Sequence, residues 1–356
     1  MMSQAEGTGS VRTVLPGLAV AIAVAAGAWL LVVTLGHLPP PIGQWPVSTM
    51  LIAILAGLAL SGVAARQPGW TPGLALAQGP ILKLAVALIG LRLSLVELGH
   101  LGIDALPLVV VVVLLGLLLA FVLGRLAGAG PRLTALLAVG TSICGASAIA
   151  AAAPGLRARG EEIGYAIACI ALLGLTATVL YPPLLHRLFD DPVTIGLILG
   201  VAVHDTAQVT AAAVLYEQVS GQEGTLVAAT VAKLIRNAGM LVLIPAVIWF
   251  ASRRERDGKA RVALPLFIVA FIGLSGLRTL GDAWLGRDHA LWQGAIELVG
   301  HFSLFAFAMA MAALAMAVRP AELKAIGWKP AVAAVIAALG MLALAITWVS
   351  LILDRL

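Results

Sequence analysis

The sequence predicts an all-α polytopic membrane protein, on three observations: apolar composition, recurring apolar runs of bilayer length, and small polar clusters that interrupt two of them. Hydrophobic residues make up 61% of the 356 and charged residues 11%, with a mean hydropathy of +1.06. A water-soluble domain of that composition would expose an almost wholly apolar surface. Runs of about 20 apolar residues, the length that crosses a bilayer as a helix, follow one another along the chain, and the gaps are too short for a soluble domain. A single membrane domain over 1–356 is expected.

Taken in order, the runs give about eleven spans, near 13–35, 48–65, 73–97, 105–124, 132–153, 162–186, 192–215, 225–251, 262–279, 290–317 and 329–352. The first follows a polar start and Arg12, with no small-residue cleavage site at signal-peptide distance, and reads as a retained extra helix. Loops 252–262 (Arg253, Arg254, Arg256, Lys259, Arg261) and 318–328 (Arg319, Lys324) are basic, whereas 36–47, 98–104 and 216–224 hold no Lys or Arg. By the positive-inside rule the N-terminus is cytoplasmic and the C-terminus outside. Arg157 and Arg159, beside Glu161 and Glu162, fall on the outer side in this scheme, against the rule. The net charge of +5 thus reports orientation, and nucleic acid is not an expected partner.

Without the first span, ten remain. Two sets of five, 48–186 and 192–352, must have opposite orientations because each is odd in number, which is the arithmetic of an inverted repeat. The fourth span of the first set carries Gly140-Thr141-Ser142-Ile143-Cys144-Gly145-Ala146-Ser147, and the fourth of the second carries Gly300-His301-Phe302-Ser303. The first is expected to be a helix broken at its centre, since unpaired backbone at membrane depth is tolerated only inside protein or against a cavity, and the second is its counterpart under the repeat.

Chemistry is expected at three places. At 140–147 a second half-helix would begin with free N–H groups and a positive dipole end, flanked by the Thr141, Ser142 and Ser147 hydroxyls, which suits a sulfate-like or carboxylate anion; close packing of small residues is the alternative. Lys233 and Arg236 share one helix face near the midplane. With Lys83 and Arg92 they outnumber the intramembrane carboxylates Asp205 and Glu297, an excess that an anionic substrate would neutralise. Lys83 and Arg92 could instead snorkel or pair with a loop carboxylate such as Glu97. In Val203-His204-Asp205-Thr206-Ala207-Gln208-Val209, four polar side chains in five positions cannot share one helix face, so the helix unwinds or lines a helix crossing. His204 and Asp205 could carry a coupling proton, Thr206 and Gln208 could bind substrate or a cation, and the alternative is a structural polar knot that neutralises the basic pair. Cys144 and Cys169 lie in apolar runs and suggest neither disulfide nor metal site.

The segments Ser142-Ile143-Cys144-Gly145-Ala146, Val203-His204-Asp205-Thr206-Ala207-Gln208-Val209, Lys233-Leu234-Ile235-Arg236 and Ala308-Met309-Ala310-Met311-Ala312-Ala313-Leu314 together resemble the YeiH family of bacterial inner-membrane proteins over nearly the whole chain. Ser147 departs from the expected Ala. The resemblance implies export of sulfate or a related sulfur oxyanion, inner-membrane location, and the architecture of bile-acid symporters and sodium/proton antiporters, in which two broken helices cross at the substrate site.

The expectation is therefore a secondary anion transporter working by alternating access, not an enzyme. Thr141, Ser142, Cys144, Gly145, Ala146, Ser147, Lys233, Arg236 and Ser303 are its substrate-site residues, and His204, Asp205 and Gln208 its coupling residues. No nucleotide-binding motif is present, and no cofactor or metal is expected beyond H+ or Na+ as coupling ion. A small inorganic or organic anion and the lipid bilayer are the expected partners, with a homodimer as an open assembly. A sodium- or proton-coupled organic-anion transporter or a cation/proton antiporter is the alternative in the same architecture. An intramembrane hydrolase built on Cys144 or Ser142 with His204 and Asp205 is the remote one, because adjacent His and Asp side chains diverge on a helix.

Overall fold

The computed structural model describes residues 11–37, 48–251, 266–318 and 326–352, which contain helices and no strand. The helices are α1 (Val11–Gly36), α2 (Thr49–Ala65), α3 (Thr71–Leu76), α4 (Leu82–Leu88), α5 (Leu95–Leu126), α6 (Pro131–Val139), α7 (Ala146–Leu156), α8 (Gly160–His186), α9 (Pro192–Ala202), α10 (Thr206–Ser220), α11 (Thr225–Ala238), α12 (Met240–Ala251), α13 (Leu266–Leu285), α14 (Ala290–Met316) and α15 (Lys329–Ile352). Among the described residues seven stretches are long and apolar enough to cross a bilayer on their own, or up to eight with the α11–α12 pair, bent by 43°. The all-α polytopic fold is as expected. The basic residues of 252–262, together with Arg319 and Lys324, lie outside the described residues.

Local chemistry sets the helix ends. The Ser48 hydroxyl caps α2, and Asp191 caps α9 ahead of Pro192 in the first turn. Ser94 and Glu97 form a reciprocal capping box that starts α5 at Leu95. The polar stretch expected as a loop at 98–104 is therefore the first turns of α5, and Glu97 is occupied by that cap. Arg92 reaches Glu217 instead, at 4.0 Å. Pro68–Arg92 forms one membrane segment in which Pro80, lacking an N–H, sits in a wide turn, Ala77–Ile81, between α3 and α4.

Contacts sort the helix ends onto two faces. Ser48 Oγ donates to Gln218 Oε1 (2.6 Å), Arg92 meets Glu217, and Thr225 Oγ1 donates to the Pro192 carbonyl (2.9 Å), so residues 48, 92, 192, 217 and 225 share one face, called here the far face. On the other, a pocket of about 370 Å³ is walled by Ala127–Gly130, Arg159, Glu162 and Ile326–Pro330, and the Tyr165 hydroxyl donates to the Gly327 carbonyl (2.6 Å). Gly155 packs on Ile248 at the same end.

Two expected spans are therefore not crossings. The segment near 132–153 enters as α6, turns at Gly140–Gly145, and returns as α7 to the face it left; a Cβ built at Gly140 would lie 2.8 Å from Ile149 Cδ1, across the bend. The segment near 192–215 does the same from the far face. Gly196 and Gly200 of α9 pack on Ala228 and Ala232 of α11, so these helices run parallel, while α10 returns along α8 with Gly174 against Gln208 and the His186 ring against Tyr216. α1, the α3–α4 segment, α5, α8, α13, α14, α15 and the bent α11–α12 pair have crossing length, and the 17-residue α2 packs on α14 through Gly57. The second break, expected at 300–303, falls instead at 203–205: α14 runs unbroken from Ala290 to Met316, and Ser303 donates to Val299 O within it (2.9 Å). The breaks occupy the fourth segment of the first set and the first of the second, so the two sets do not place their breaks alike.

This hairpin pair resolves the charge anomaly. Re-entry puts Arg157 and Arg159 on the face that also bears Arg66, Arg132 and Lys329, here called the basic face. Loop 187–191 moves to the far face.

Candidate functional site at the hairpin tips

The two hairpins enter from opposite faces and meet tip to tip in the interior. At the first tip the Gly140–Cys144 turn ends at Gly145, with φ 69° and ψ −132°, a conformation open essentially to glycine. A Cβ there would also lie 2.9 Å from Asp205 Oδ2 of the second tip. At the second, Val203 and Asp205 are extended (φ −82°, ψ 142° and φ −96°, ψ 151°), which ends α9 and restarts the chain as α10.

Ending α6 and α9 in the interior strands their last carbonyls. Lys233 and Arg236 of α11 satisfy them. Lys233 Nζ donates to Ile143 O and Val203 O, both at 3.2 Å, and to His204 O. Arg236 donates through Nε to Ser142 O (2.9 Å), through one terminal nitrogen to Val201 O (2.6 Å) and Val203 O (2.9 Å), and through the other to Thr141 O. Both side chains are fully buried, 1% and 0% exposed. The cationic excess expected to meet an anion is thus met by the negative ends of two half-helices and their unwound carbonyls, and neither cation lines either of the two cavities that meet at Asp205.

The same break leaves α7 and α10 with their positive N-terminal ends at the centre. The Asp205 carboxylate lies between them: Oδ1 accepts the Ala207 N–H (3.0 Å), and the Ala146 N–H also donates to the carboxylate. Gln208 closes the cap by accepting the Asp205 N–H (3.1 Å) and ties the tip to α8 by donating to Ala171 O (3.1 Å). In this arrangement it is the reciprocal half of the α10 cap.

Two cavities meet at Asp205, Ala146, Gln78 and Leu314. One, of about 810 Å³, is lined also by Lys83, Cys144, Ser147, Thr206 and Asn237. The other, of about 260 Å³, passes Gln208 and the Gly164–Ala171 stretch of α8 to Ala317 and Val318. The outer lining of both, at Ala151, Leu266, Gly164 and Val318, belongs to the basic-face half. Of the expected site residues, Cys144, Ala146, Ser147 and Asp205 reach the larger cavity. Gly145 is the apex beside Asp205. Thr141 and Ser142 contribute carbonyls to the clamp, and their buried hydroxyls, like both ring nitrogens of His204, have no hydrogen-bond partner among the described residues. No hydrogen bond therefore joins His204 to Ser142 or Cys144 as a hydrolytic dyad would require. Ser303 lines neither cavity.

The sequence reading missed Gln78 and Asn237 and left Lys83 out of the site. Gln78 donates to Ala313 O (2.9 Å), and Asn237 donates to the Thr206 hydroxyl (3.2 Å). Gln78-Gly79-Pro80, a polar and helix-breaking triplet inside an apolar run, was the available signal; Asn237 gave none beyond following Arg236.

Residues 16–334 match the family model described as conserved hypothetical protein 698. The chain is 32% identical over 339 residues to the UPF0324 membrane protein SAG1125 of Streptococcus agalactiae, covering 94% of this chain and 96% of that one. It is 34% identical over 316 residues to the UPF0324 membrane protein TauZ of Paracoccus pantotrophus, 86% of each, and 36% identical over 279 residues to the UPF0324 membrane protein blr3189 of Bradyrhizobium diazoefficiens, 76% of each. No solved structure matches. With its helical membrane fold and these matches over most of its length, the chain belongs to the conserved hypothetical protein 698 family, the UPF0324 or YeiH family of membrane proteins.

Proposed function

We propose that this protein is a secondary active transporter of small anions, sulfate or a related sulfur oxyanion or sulfonate, working by alternating access in a bacterial inner membrane. The observation that carries this reading is the convergence of two re-entrant tips on a cavity wall that holds two helix N-termini, Lys83 and a single carboxylate. Each N-terminus is worth roughly half a positive charge, so with Lys83 the wall is net positive by about one charge even with Asp205 ionised. A cation antiporter would want the opposite balance. Irregular backbone at membrane depth is used by transporters to bind substrate, and the unpartnered His204 argues against an enzyme.

The basic face is read as cytoplasmic by the positive-inside rule, which puts the N-terminus inside and the C-terminus outside. Both cavities then face the cytoplasm, while Arg92–Glu217 and Ser48–Gln218 close the far face. Substrate lies against Ser147, Thr206, Asn237 and Lys83 rather than against Lys233 and Arg236. Asp205, on the wall of both cavities, is the coupling group, and His204, on neither, is not.

The test is a thermal-shift screen of the purified protein with sulfate, sulfite, sulfonates and dicarboxylates, followed by exchange in proteoliposomes. A ligand that binds only the folded state must raise its stability. Stabilisation by one anion class and recovery of that anion unchanged after uptake are expected; stabilisation by none, with binding of metal cations instead, would overturn the reading.

A further inference from the structure

The carbonyl groups at the two tips form a cradle of the kind that elsewhere in membranes binds a bare monovalent cation: oxygens at the C-terminal ends of half-helices and from unwound backbone, in the protein interior. Here the cradle is filled by the chain itself. An ammonium has three N–H donors, and Lys233 Nζ has three carbonyl partners, Ile143, Val203 and His204, drawn from both tips. The Arg236 guanidinium holds Thr141, Ser142, Val201 and Val203, again from both.

We propose that Lys233 and Arg236 are tethered substitutes for coupling metal cations, so that the hairpin tips are held together without sodium or potassium and transport needs neither. A metal ion entering the cradle would have to displace a like-charged group that cannot diffuse away and already satisfies the same oxygens. Removing Lys233 should open a site of one positive charge and three carbonyl ligands, able to take methylammonium or sodium from solution. This consequence for coupling rests on the transporter reading; the tethered-cation role does not.

The experiment compares thermal unfolding of the full-length protein in sodium, potassium and choline chloride at equal ionic strength, for wild type, Lys233→Ala and Lys233→Met, with and without methylammonium. Wild type should unfold at the same temperature in all three salts and ignore methylammonium. Lys233→Ala should unfold earlier in choline, and methylammonium or sodium should move its midpoint back up. Lys233→Met, which keeps the apolar stem but blocks the cradle, should be destabilised and unrescued. Wild-type stabilisation by sodium or potassium over choline would overturn the proposal, as would a folded Lys233→Ala that responds to neither cation. If neither variant folds, the three-salt comparison on wild type decides. Loss of the anion-transport reading would leave these midpoints unchanged, so the two failures are distinguishable.

Discussion

At the scale of single residues, the site depends on groups whose roles differ sharply over a few positions. Gly145 faces both a backbone requirement and a steric one: its φ of 69° is strained for any L side chain, and a Cβ would lie 2.9 Å from Asp205 Oδ2. Gly145→Ala is expected to cost about 1–3 kcal/mol from backbone strain alone, read as a lower unfolding midpoint than Gly79→Ala, where a Cβ meets nothing within 4 Å. Lys83 is exposed to the larger cavity, so its attraction for an anion is moderated by solvent. Lys83→Gln should weaken anion affinity about fivefold, on the order of 1 kcal/mol, with folding unchanged; equal affinity by calorimetry would remove Lys83 from the site. Asp205→Asn retains a capping oxygen for α10, so folding and substrate exchange should persist. Net flux in proteoliposomes should lose its pH dependence, because an amide cannot carry the proton. Net flux that keeps its pH dependence would return the coupling role to another group.

At the scale of elements, the second hairpin is fixed by the close parallel contact of α9 with α11. A Cβ at Gly196 would sit 2.5 Å from the Thr225 carbonyl oxygen, and one at Gly200 2.7 Å from that of Ala229. Small residues there let the two backbones approach, as in other membrane helix pairs, and that approach delivers Lys233 and Arg236 to the carbonyl ends of α9. Gly200→Val should therefore cost about 1–3 kcal/mol or more by overpacking, and should also loosen the tip. Faster modification of Cys144 by a small thiol reagent is the readout, because that thiol lines the larger cavity and is only 4% exposed. Destabilisation without any change in Cys144 reactivity would separate α9–α11 packing from tip geometry.

At the scale of the whole molecule, the decisive feature is that two of the apolar segments turn back. Re-entry of α6–α7 and α9–α10 makes an experimentally distinct topology. Cysteines placed at Gly160 and at Gly258 should react with an impermeant reagent from the same side of the membrane, and a cysteine at Asp190 from the other. Eleven crossings would instead put Gly160 opposite Gly258 and Asp190 on its side. Labelling of Gly160→Cys in intact cells, with Gly258→Cys protected, would overturn the hairpin arrangement.

The amino-acid sequence alone establishes the membrane class, the long apolar segments and the clusters at 140–147, 203–209 and 233–236 that come together at the tips. It can do so because burial in lipid is a property of composition and length. That two segments are hairpins follows only from how the chain packs. A pair of short helices has the same apolar length as one crossing helix, and two re-entries from opposite faces cancel in the parity count, leaving only Arg157 and Arg159 on an unexpected side as a sign. Tertiary structure also decided what the buried cations do. Their partners are backbone carbonyls, which every residue carries and no composition reveals; they become acceptors only where α6 and α9 stop inside the protein, and that depends on where the tips meet.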